Sequence, residues 1–101
     1  MKKIHKIVCC CGNGLGSSLI VSMNLKKILE ELNVSEIEVE HSSLSDFSES
    51  SADLFLIGMD LKQIFLHMPR VIVLQNIVSK EELRQKIQQA LNTSDERYWI
   101  Q

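Results

Sequence analysis

Short apolar segments of strand length alternate along this chain with segments of helical periodicity, and this alternation strongly limits the possible folds. Ile4 to Cys10, Asp53 to Gly58 and Arg70 to Asn76 are largely apolar runs, as expected of strands covered on both faces. Ser35 to His41 instead alternates apolar and acidic residues, which predicts a half-exposed strand at a sheet edge. Strands that alternate with helices favour an α/β fold with a parallel sheet and helices on both faces.

Three segments between these strands have the residue spacing of helices. The first follows a glycine-rich stretch, and its apolar face is formed by Val21, Leu25, Ile28, Leu29 and Leu32. The second is predicted to have Asp60 as its N-cap and to stop at Pro69. The third is predicted to begin at Ser79, because Ser79 to Glu82 matches a capping box.

Two further segments have no clear periodicity. The serine-rich Ser42 to Ala52 is short for a parallel crossover, so we expect only a turn or two of helix around Leu44 to Phe47. The helical pattern then fades at the C-terminus, where the polar residues 93–101 are predicted to be a tail with two aromatic side chains near its end. We therefore expect one domain over residues 1–92, followed by this tail.

The length and the charge of the chain limit its class of function. A chain of 101 residues fits one domain, and a formal net charge of −2 argues against nucleic acid as a partner. The apolar segments are far shorter than the roughly 20 residues that cross a bilayer, and the basic N-terminus lacks the apolar run of a signal peptide. We therefore expect a cytoplasmic protein without direct membrane insertion, whose three cysteines stay reduced.

The stretch CCCGNGLGSS, Cys9 to Ser18, is the part of the sequence that points to chemistry. Its glycines form G-x-G-x-G rather than the G-x-G-x-x-G of dinucleotide-binding proteins, and it lacks the lysine of a Walker loop. Adjacent cysteines on a strand point to alternate faces, so the three thiols cannot converge on one metal ion as spaced cysteine pairs do. The sequence therefore predicts neither a nucleotide cofactor nor a metal site.

This stretch can form a cradle for one anion. Glycines allow consecutive N–H groups to point inward, and the start of the helix, expected at Ser17 and Ser18, adds partial positive charge. A phosphate fits such a cradle, and so does a thiolate, because a cysteine at a helix N-terminus can have a lowered pKa. Cys11, at the end of the predicted strand, is therefore the candidate nucleophile.

The neighbouring residues have simpler interpretations. Cys9 and Cys10 lie within the predicted strand and are expected to be core cysteines. His41 is expected to be a solvated side chain, and Asp60 a helix cap rather than a general acid. The methionines expected to fill the core are Met23, Met59 and Met68.

A strand that ends in VCCCGNGLGSS and leads into an amphipathic helix resembles the cytoplasmic IIB components of the bacterial phosphoenolpyruvate-dependent sugar phosphotransferase system (PTS). It is most similar to the lactose/cellobiose-type superfamily and, within it, to the ascorbate or pentitol branch. The motif of that branch, C-G-N-G-x-G-S-S, matches Cys11 to Ser18 without a gap. The order of elements matches from Ile4 to about Asn92.

The resemblance implies a four-stranded parallel sheet of strand order 2-1-3-4 with helices on both sides, and no cofactor. It implies that Cys11 accepts a phosphoryl group from a phosphohistidine on a IIA protein. The group then passes to ascorbate, a pentitol or a similar sugar bound by the membrane-embedded IIC transporter. By motif position, the phosphate loop would be Gly12, Asn13, Gly14, Leu15, Gly16, Ser17 and Ser18. Cys10 is the alternative nucleophile.

Two other functions remain open at this stage. Low-molecular-weight tyrosine phosphatases have the motif C-x5-R-[ST] on a similar strand and helix, but here Ser17 stands in place of the arginine that their transition state needs. Arsenate reductases of that build use further cysteines, and none follows Cys11. The other possibility is a non-catalytic regulatory module of the PTS that keeps the fold and senses phosphorylation.

Overall fold

The computed structural model describes residues 4–10, 15–34, 36–42, 52–93 and 95–101, and for residues 15–17 it describes the backbone alone. The elements in chain order are β1 (Lys6–Cys10), α1 (Leu15–Glu31), β2 (Glu38–Ser42), β3 (Leu54–Gly58), a 3-10 helix (Met59–Leu61), β4 (Arg70–Leu74), α2 (Lys80–Asn92) and β5 (Tyr98–Ile100). The turn expected around Leu44 to Phe47 lies outside the described residues.

The five strands of the described residues form one parallel sheet of order β2-β1-β3-β4-β5. The register aligns Cys10 with Ser42 on one side and with Ile57 on the other, and it aligns Gly58 with Leu74. These four strands therefore end at nearly the same level. We call this end of the sheet, formed by Cys10, Ser42, Gly58 and Leu74, the carboxyl edge. β2 lies at the side of the sheet, as predicted from its acidic alternation.

The expectation of four strands is wrong, because the C-terminal segment adds β5 beside β4. The Tyr98 N–H donates to the carbonyl of Pro69 at 2.8 Å, and the Trp99 indole N–H donates to the carbonyl of Met68 at 3.0 Å. An apolar segment of three residues is too short to show the alternation of a strand in the sequence. Only its partners in the folded sheet distinguish it from a tail.

The side chains of the central strands alternate between two cores. The first contains Ile7, Cys9, Leu54, Leu56, Ile72 and Leu74, and both α1 and α2 pack on it. The second contains Val8, Cys10, Phe55, Ile57, Val71 and Val73. In the described part of the chain, the two α-helices thus share one face of the sheet, which differs from the expected arrangement with helices on both faces.

The second face is covered instead by the segment predicted to be a helix from Asp60 to Met68. This segment is a 3-10 helix followed by turns, and its N-cap is Gly58, which offers no side-chain cap. Backbone bonds span three residues, such as Lys62 N–H to the carbonyl of Met59. A short segment that ends at a proline and has no capping side chain favours such tight turns over an α-helix. The predicted apolar stripe is nevertheless buried, through Leu61, Phe65 and Met68.

The first and third predicted helices are confirmed. In α1, Val21, Leu25, Ile28 and Leu29 are buried, and Leu32 packs against the same core. In α2, the Ser79 hydroxyl accepts the Glu82 N–H at 3.1 Å, as expected of an N-cap, and an ion pair between Arg84 and Glu31 joins the two helices. Within the described residues, no helix is both long enough and apolar enough to span a membrane.

Candidate functional site

The loop with the candidate nucleophile connects the end of β1 to the start of α1. The strand ends at Cys10, as predicted, and the helix starts at Leu15 rather than at Ser17. Of the motif, Cys11, Gly12, Asn13 and Gly14 lie outside the described residues, as do the side chains of Leu15 and Ser17. The strand–loop–helix order is therefore confirmed, while the roles of these residues remain predictions.

The start of α1 has the electrostatic character that an anion site needs. The helix is 17 residues long and has no acidic residue in its first turn, so no side chain of that turn neutralises its partial positive charge. Gly16 lies inside the helix although glycine disfavours helices, which explains why the sequence placed the start too late. Ser18 is fully buried, so this predicted loop residue faces the protein interior.

Cys9 and Cys10 are core cysteines, as predicted. Both are fully buried, and they point to opposite faces of the sheet. Burial raises the pKa of the Cys10 thiol, and the negative charge of Asp60 raises it further. The Cys10 thiol is therefore protonated at neutral pH and inaccessible to solvent, so Cys10 is a less suitable nucleophile than Cys11.

Asp60 was interpreted from the sequence as a helix cap, but the structure places its carboxylate at the carboxyl edge. A β-carbon added to Gly58 would lie only 2.8 Å from Asp60 Oδ1, so this carboxylate lies directly beside the end of β3. Gly58 has an ordinary extended backbone with φ of −84°, and its small size rather than its dihedral angle makes room for the carboxylate. In the sequence, the only sign of this position is a glycine, Gly58, two residues before Asp60. That sign can be interpreted only once the end of β3 is known.

A polar network at the next strand fixes the loop between β4 and α2. The Glu82 carboxylate accepts the N–H groups of Gln75 at 2.8 Å and Asn76 at 2.9 Å. The Lys86 ammonium donates to Glu82 at 2.7 Å and to the Val73 carbonyl at 2.7 Å. Burial acts to raise the pKa of Glu82, but these donors together outweigh it and lower the pKa. The i, i+4 spacing of Glu82 and Lys86 was visible in the sequence, whereas the loop that they hold was not.

The outward face of α1 changes character along the helix. Near the carboxyl edge it exposes Leu19, Ile20 and Met23, the last with 58% of its surface accessible. Lys26 and Lys27, also exposed, follow in the second half. Met23 is thus not in the core, and neither is Met59, whereas Met68 is buried as predicted. The apolar part of this face lies next to the candidate loop.

His41 is exposed in β2, as predicted. Among the residues that the structure describes, no group of three or more His, Cys, Asp or Glu side chains is arranged to hold a metal ion.

The fold and its carboxyl edge define a small parallel α/β protein with a cysteine-containing loop at the start of a helix. A family model described as PTS system, Lactose/Cellobiose specific IIB subunit, matches residues 6–89, a range that includes β1, the loop, α1 and most of α2. The chain belongs to this family. It is therefore a IIB component of a sugar phosphotransferase system, and IIB components are phosphotransferases that interact with IIA and IIC partners.

Two further proteins are similar to the chain. The ascorbate-specific PTS system EIIB component of Mycoplasma pneumoniae is 26% identical over 93 residues, which cover 89% of this chain and 97% of that protein. The lactose-specific IIB domain of Streptococcus pneumoniae has a solved structure that matches with a TM-score of 0.54 at 16% identity. That match covers 88% of this chain and 92% of the domain, and it shows that the two share a fold.

Proposed function

We propose that the chain is a cytoplasmic phosphocarrier in which Cys11 accepts a phosphoryl group from a IIA phosphohistidine. The cysteine then passes the group to a sugar bound by a IIC transporter. Ascorbate, a pentitol or a similar sugar is the proposed acceptor, because one similar protein is ascorbate-specific and the loop motif is that of the ascorbate and pentitol branch.

The observation that carries this proposal is the match of the IIB family model across residues 6–89. This range contains Cys11 and the whole predicted loop, Gly12 to Ser18. The described surroundings support the same cysteine, because Cys9 and Cys10 are both buried inside the sheet. In the sequence, Cys11 directly follows β1 and precedes the start of a long helix, whose N-terminal end carries partial positive charge.

Two transfers make up the proposed reaction. In the first, the Cys11 thiolate attacks phosphorus, an S–P bond forms, and the N–P bond of phosphohistidine breaks with its electron pair left on the imidazole. In the second, a sugar hydroxyl oxygen attacks the same phosphorus, an O–P bond forms, and the thiolate leaves with the S–P electron pair. The hydroxyl proton goes to a base supplied with the sugar in the transporter. The backbone N–H groups of the loop and the start of α1 would stabilise the charge on the transferring group.

A carrier also needs its phosphocysteine to survive until the acceptor arrives. Ser17 stands where a phosphatase of similar motif has a transition-state arginine, so the loop has no guanidinium to speed attack by water. The apolar outward face of α1 at Leu19, Ile20 and Met23 supports delivery by another protein, because such a surface suits protein contact beside the loop.

Phosphoryl transfer in cysteine variants tests this proposal. Purified protein would be incubated with phosphoenolpyruvate, the general PTS proteins and a IIA donor, and the phosphorylated fraction measured by intact mass. We expect Cys11→Ser to abolish phosphorylation, since a hydroxyl is a far weaker nucleophile near neutral pH, while Cys10→Ser keeps it.

The matched variants distinguish the alternatives. If both variants fold, and Cys11→Ser is still phosphorylated while Cys10→Ser is not, then Cys10 is the nucleophile and the proposal for Cys11 is wrong. Rapid turnover of p-nitrophenyl phosphate by the wild-type protein would instead indicate a phosphatase. A wild-type protein that is never phosphorylated would leave only a regulatory role.

A further inference from the structure

We propose that Asp60 is an electrostatic residue of the transfer site, whose carboxylate weakens the hold of the protein on the phosphoryl group and so favours its onward transfer. This inference rests on the proposed function of Cys11. Asp60 needs no contact with the reacting atoms for this role, because it acts through its charge.

The position of Asp60 follows from the end of β3. Its Oδ1 atom occupies the space beside Gly58, at 2.8 Å from where a β-carbon would lie. The Ile77 side chain borders the same space, at 3.7 Å from that point. The carboxylate is thus folded back over the end of β3, while the residue as a whole remains exposed to solvent.

The strand register brings this carboxylate close to the end of β1, which directly precedes Cys11 in the sequence. Cys10 pairs with Ile57, so the ends of β1 and β3 lie side by side. Cys11 follows Cys10 directly in the sequence. Consecutive Cα atoms are about 3.8 Å apart, so the chain cannot carry the Cys11 Cα atom further than that from the Cys10 Cα atom. Gly58 follows Ile57 in the same way, and the Asp60 carboxylate lies over it.

The charge of Asp60 is not neutralised by the described part of the chain, in which its side chain forms no hydrogen bond or ion pair. The charged groups of α2 that reach the loop after β4, Glu82 and Lys86, pair with each other at 2.7 Å. The field of Asp60 reaches β1, since its charge helps to raise the pKa of Cys10. Asp60 therefore places beside the end of β1 a negative charge that no described residue pairs with.

A negative charge at this position acts differently on the two states of Cys11. It repels a dianionic phosphoryl group more strongly than a thiol or a thiolate, so it raises the free energy of the phosphorylated state relative to the free state. The equilibrium with the donor then lies further toward the donor, and transfer to the sugar becomes more favourable. Asp60 thus offsets the stabilisation of the phosphoryl group by the positive end of α1, so that the phosphorylated state does not become too stable for onward transfer.

The test is the equilibrium constant for phosphoryl exchange between the full-length chain and its IIA donor, measured from the phosphorylated fractions of both. Asp60→Asn removes the charge and keeps the shape, and we expect it to shift the equilibrium toward the phosphorylated chain by about three- to tenfold. Asp60→Glu should stay close to wild type. Asp95→Asn is the matched control, since it removes one exposed negative charge near the opposite end of the sheet and should have no effect.

The ionic strength and a second variant sharpen this test. The shift should shrink between about 0.01 M and 1 M salt, because the screening length falls from roughly 30 Å to 3 Å. Gly58→Ala should shift the equilibrium in the same direction, since its β-carbon displaces the Asp60 carboxylate. The inference is overturned if Asp60→Asn behaves like Asp95→Asn, if Asp60→Glu behaves like Asp60→Asn, or if Gly58→Ala behaves like wild type.

Alkylation separates a failure of this inference from a failure of the proposed function. The rate at which iodoacetamide modifies Cys11 near pH 7, located by fragment mass spectrometry, needs no donor protein. We expect Asp60→Asn to raise it by about threefold, because the loss of repulsion increases the thiolate fraction. If the wild type accepts no phosphoryl group, the proposed function fails, and equal alkylation rates would then show that Asp60 does not act on Cys11 either.

Discussion

Glu82 shows how a single side chain stabilises the carboxyl edge. It is the shared acceptor for the Gln75 and Asn76 N–H groups and for the Lys86 ammonium, and only 18% of its side chain is exposed. The two N–H groups lie in the loop after β4, and Glu82 reaches them from the first turn of α2. An uncharged side chain could not accept all of these bonds equally well.

We therefore predict that Glu82→Gln lowers the free energy of unfolding by about 1–3 kcal/mol near pH 7. Because the pKa of Glu82 is lowered in the folded state, its contribution is present above the unfolded pKa, for which the reference value is 4.5. It is lost as the pH falls through the folded pKa. The difference between wild type and variant should thus shrink in strongly acidic buffer, as measured by urea unfolding at both pH values.

Glu81→Gln is the matched control, because Glu81 is exposed in the first turn of the same helix. A loss equal to that of Glu82→Gln would show that helix charge, and not the loop contacts, explains the effect. A difference that persists unchanged in acid would contradict the assigned role of the carboxylate.

At the residue scale, the site could be predicted where its residues are contiguous in sequence. Cys9 to Ser18 form one uninterrupted motif, so the alternation of faces and the burial of Cys9 and Cys10 followed from the sequence alone. Asp60 could not be placed in this way. Its position depends on the pairing of β1 with β3, which periodicity does not specify; the strand order 2-1-3-4 that the resemblance implied did make these two strands neighbours.

At the scale of elements, β5 is the feature that the sequence concealed. Trp99 packs against the second core, and its indole N–H reaches the carbonyl of Met68. Tyr98 packs against the first core, and within the described residues its buried hydroxyl has no hydrogen-bond partner. One side chain of β5 therefore has a satisfied polar group, and its neighbour does not.

We predict opposite effects for substitutions at these two neighbours. Trp99→Ala should lower the free energy of unfolding by about 2–3 kcal/mol, because it removes a half-buried ring and its hydrogen bond, and Trp99→Phe should cost about 1 kcal/mol. Tyr98→Phe should be neutral or stabilising by up to about 1 kcal/mol, since it removes an unsatisfied buried hydroxyl. Urea unfolding followed by circular dichroism measures all three. A neutral Trp99→Ala would show that β5 does not hold the sheet.

The other elements show what periodicity does and does not predict. α1, α2 and the buried strands have strong patterns over many residues, and each was predicted close to its observed bounds. The segment from Met59 to His67 has a helical stripe, but its proline stop and missing cap favour a 3-10 helix and turns. Burial of the same residues was predicted correctly because it follows from the apolar stripe and not from the exact backbone geometry.

At the scale of the whole molecule, the parallel sheet gathers residues that are far apart in sequence at one edge. The end of β1, the Asp60 carboxylate over β3 and the loop held by Glu82 after β4 all lie there. Because the two cores cover both faces of the sheet, a ligand can be expected at the carboxyl ends of the strands, as in other parallel α/β folds. The lactose-specific domain shares this fold at 16% identity, so the fold tolerates wide changes of sequence.

The central claim is that a phosphoryl group resides on Cys11 during transfer. The most direct measurement is to incubate the wild-type chain with phosphoenolpyruvate, the general PTS proteins and a IIA donor. The product would be digested near neutral pH, and its peptides fragmented by a method that retains the labile S–P bond of phosphocysteine. The predicted result is one added HPO3 unit, located on Cys11 and absent when phosphoenolpyruvate is omitted. An HPO3 unit on Cys10, on a serine or on a histidine, with Cys11 unmodified throughout, would contradict the account.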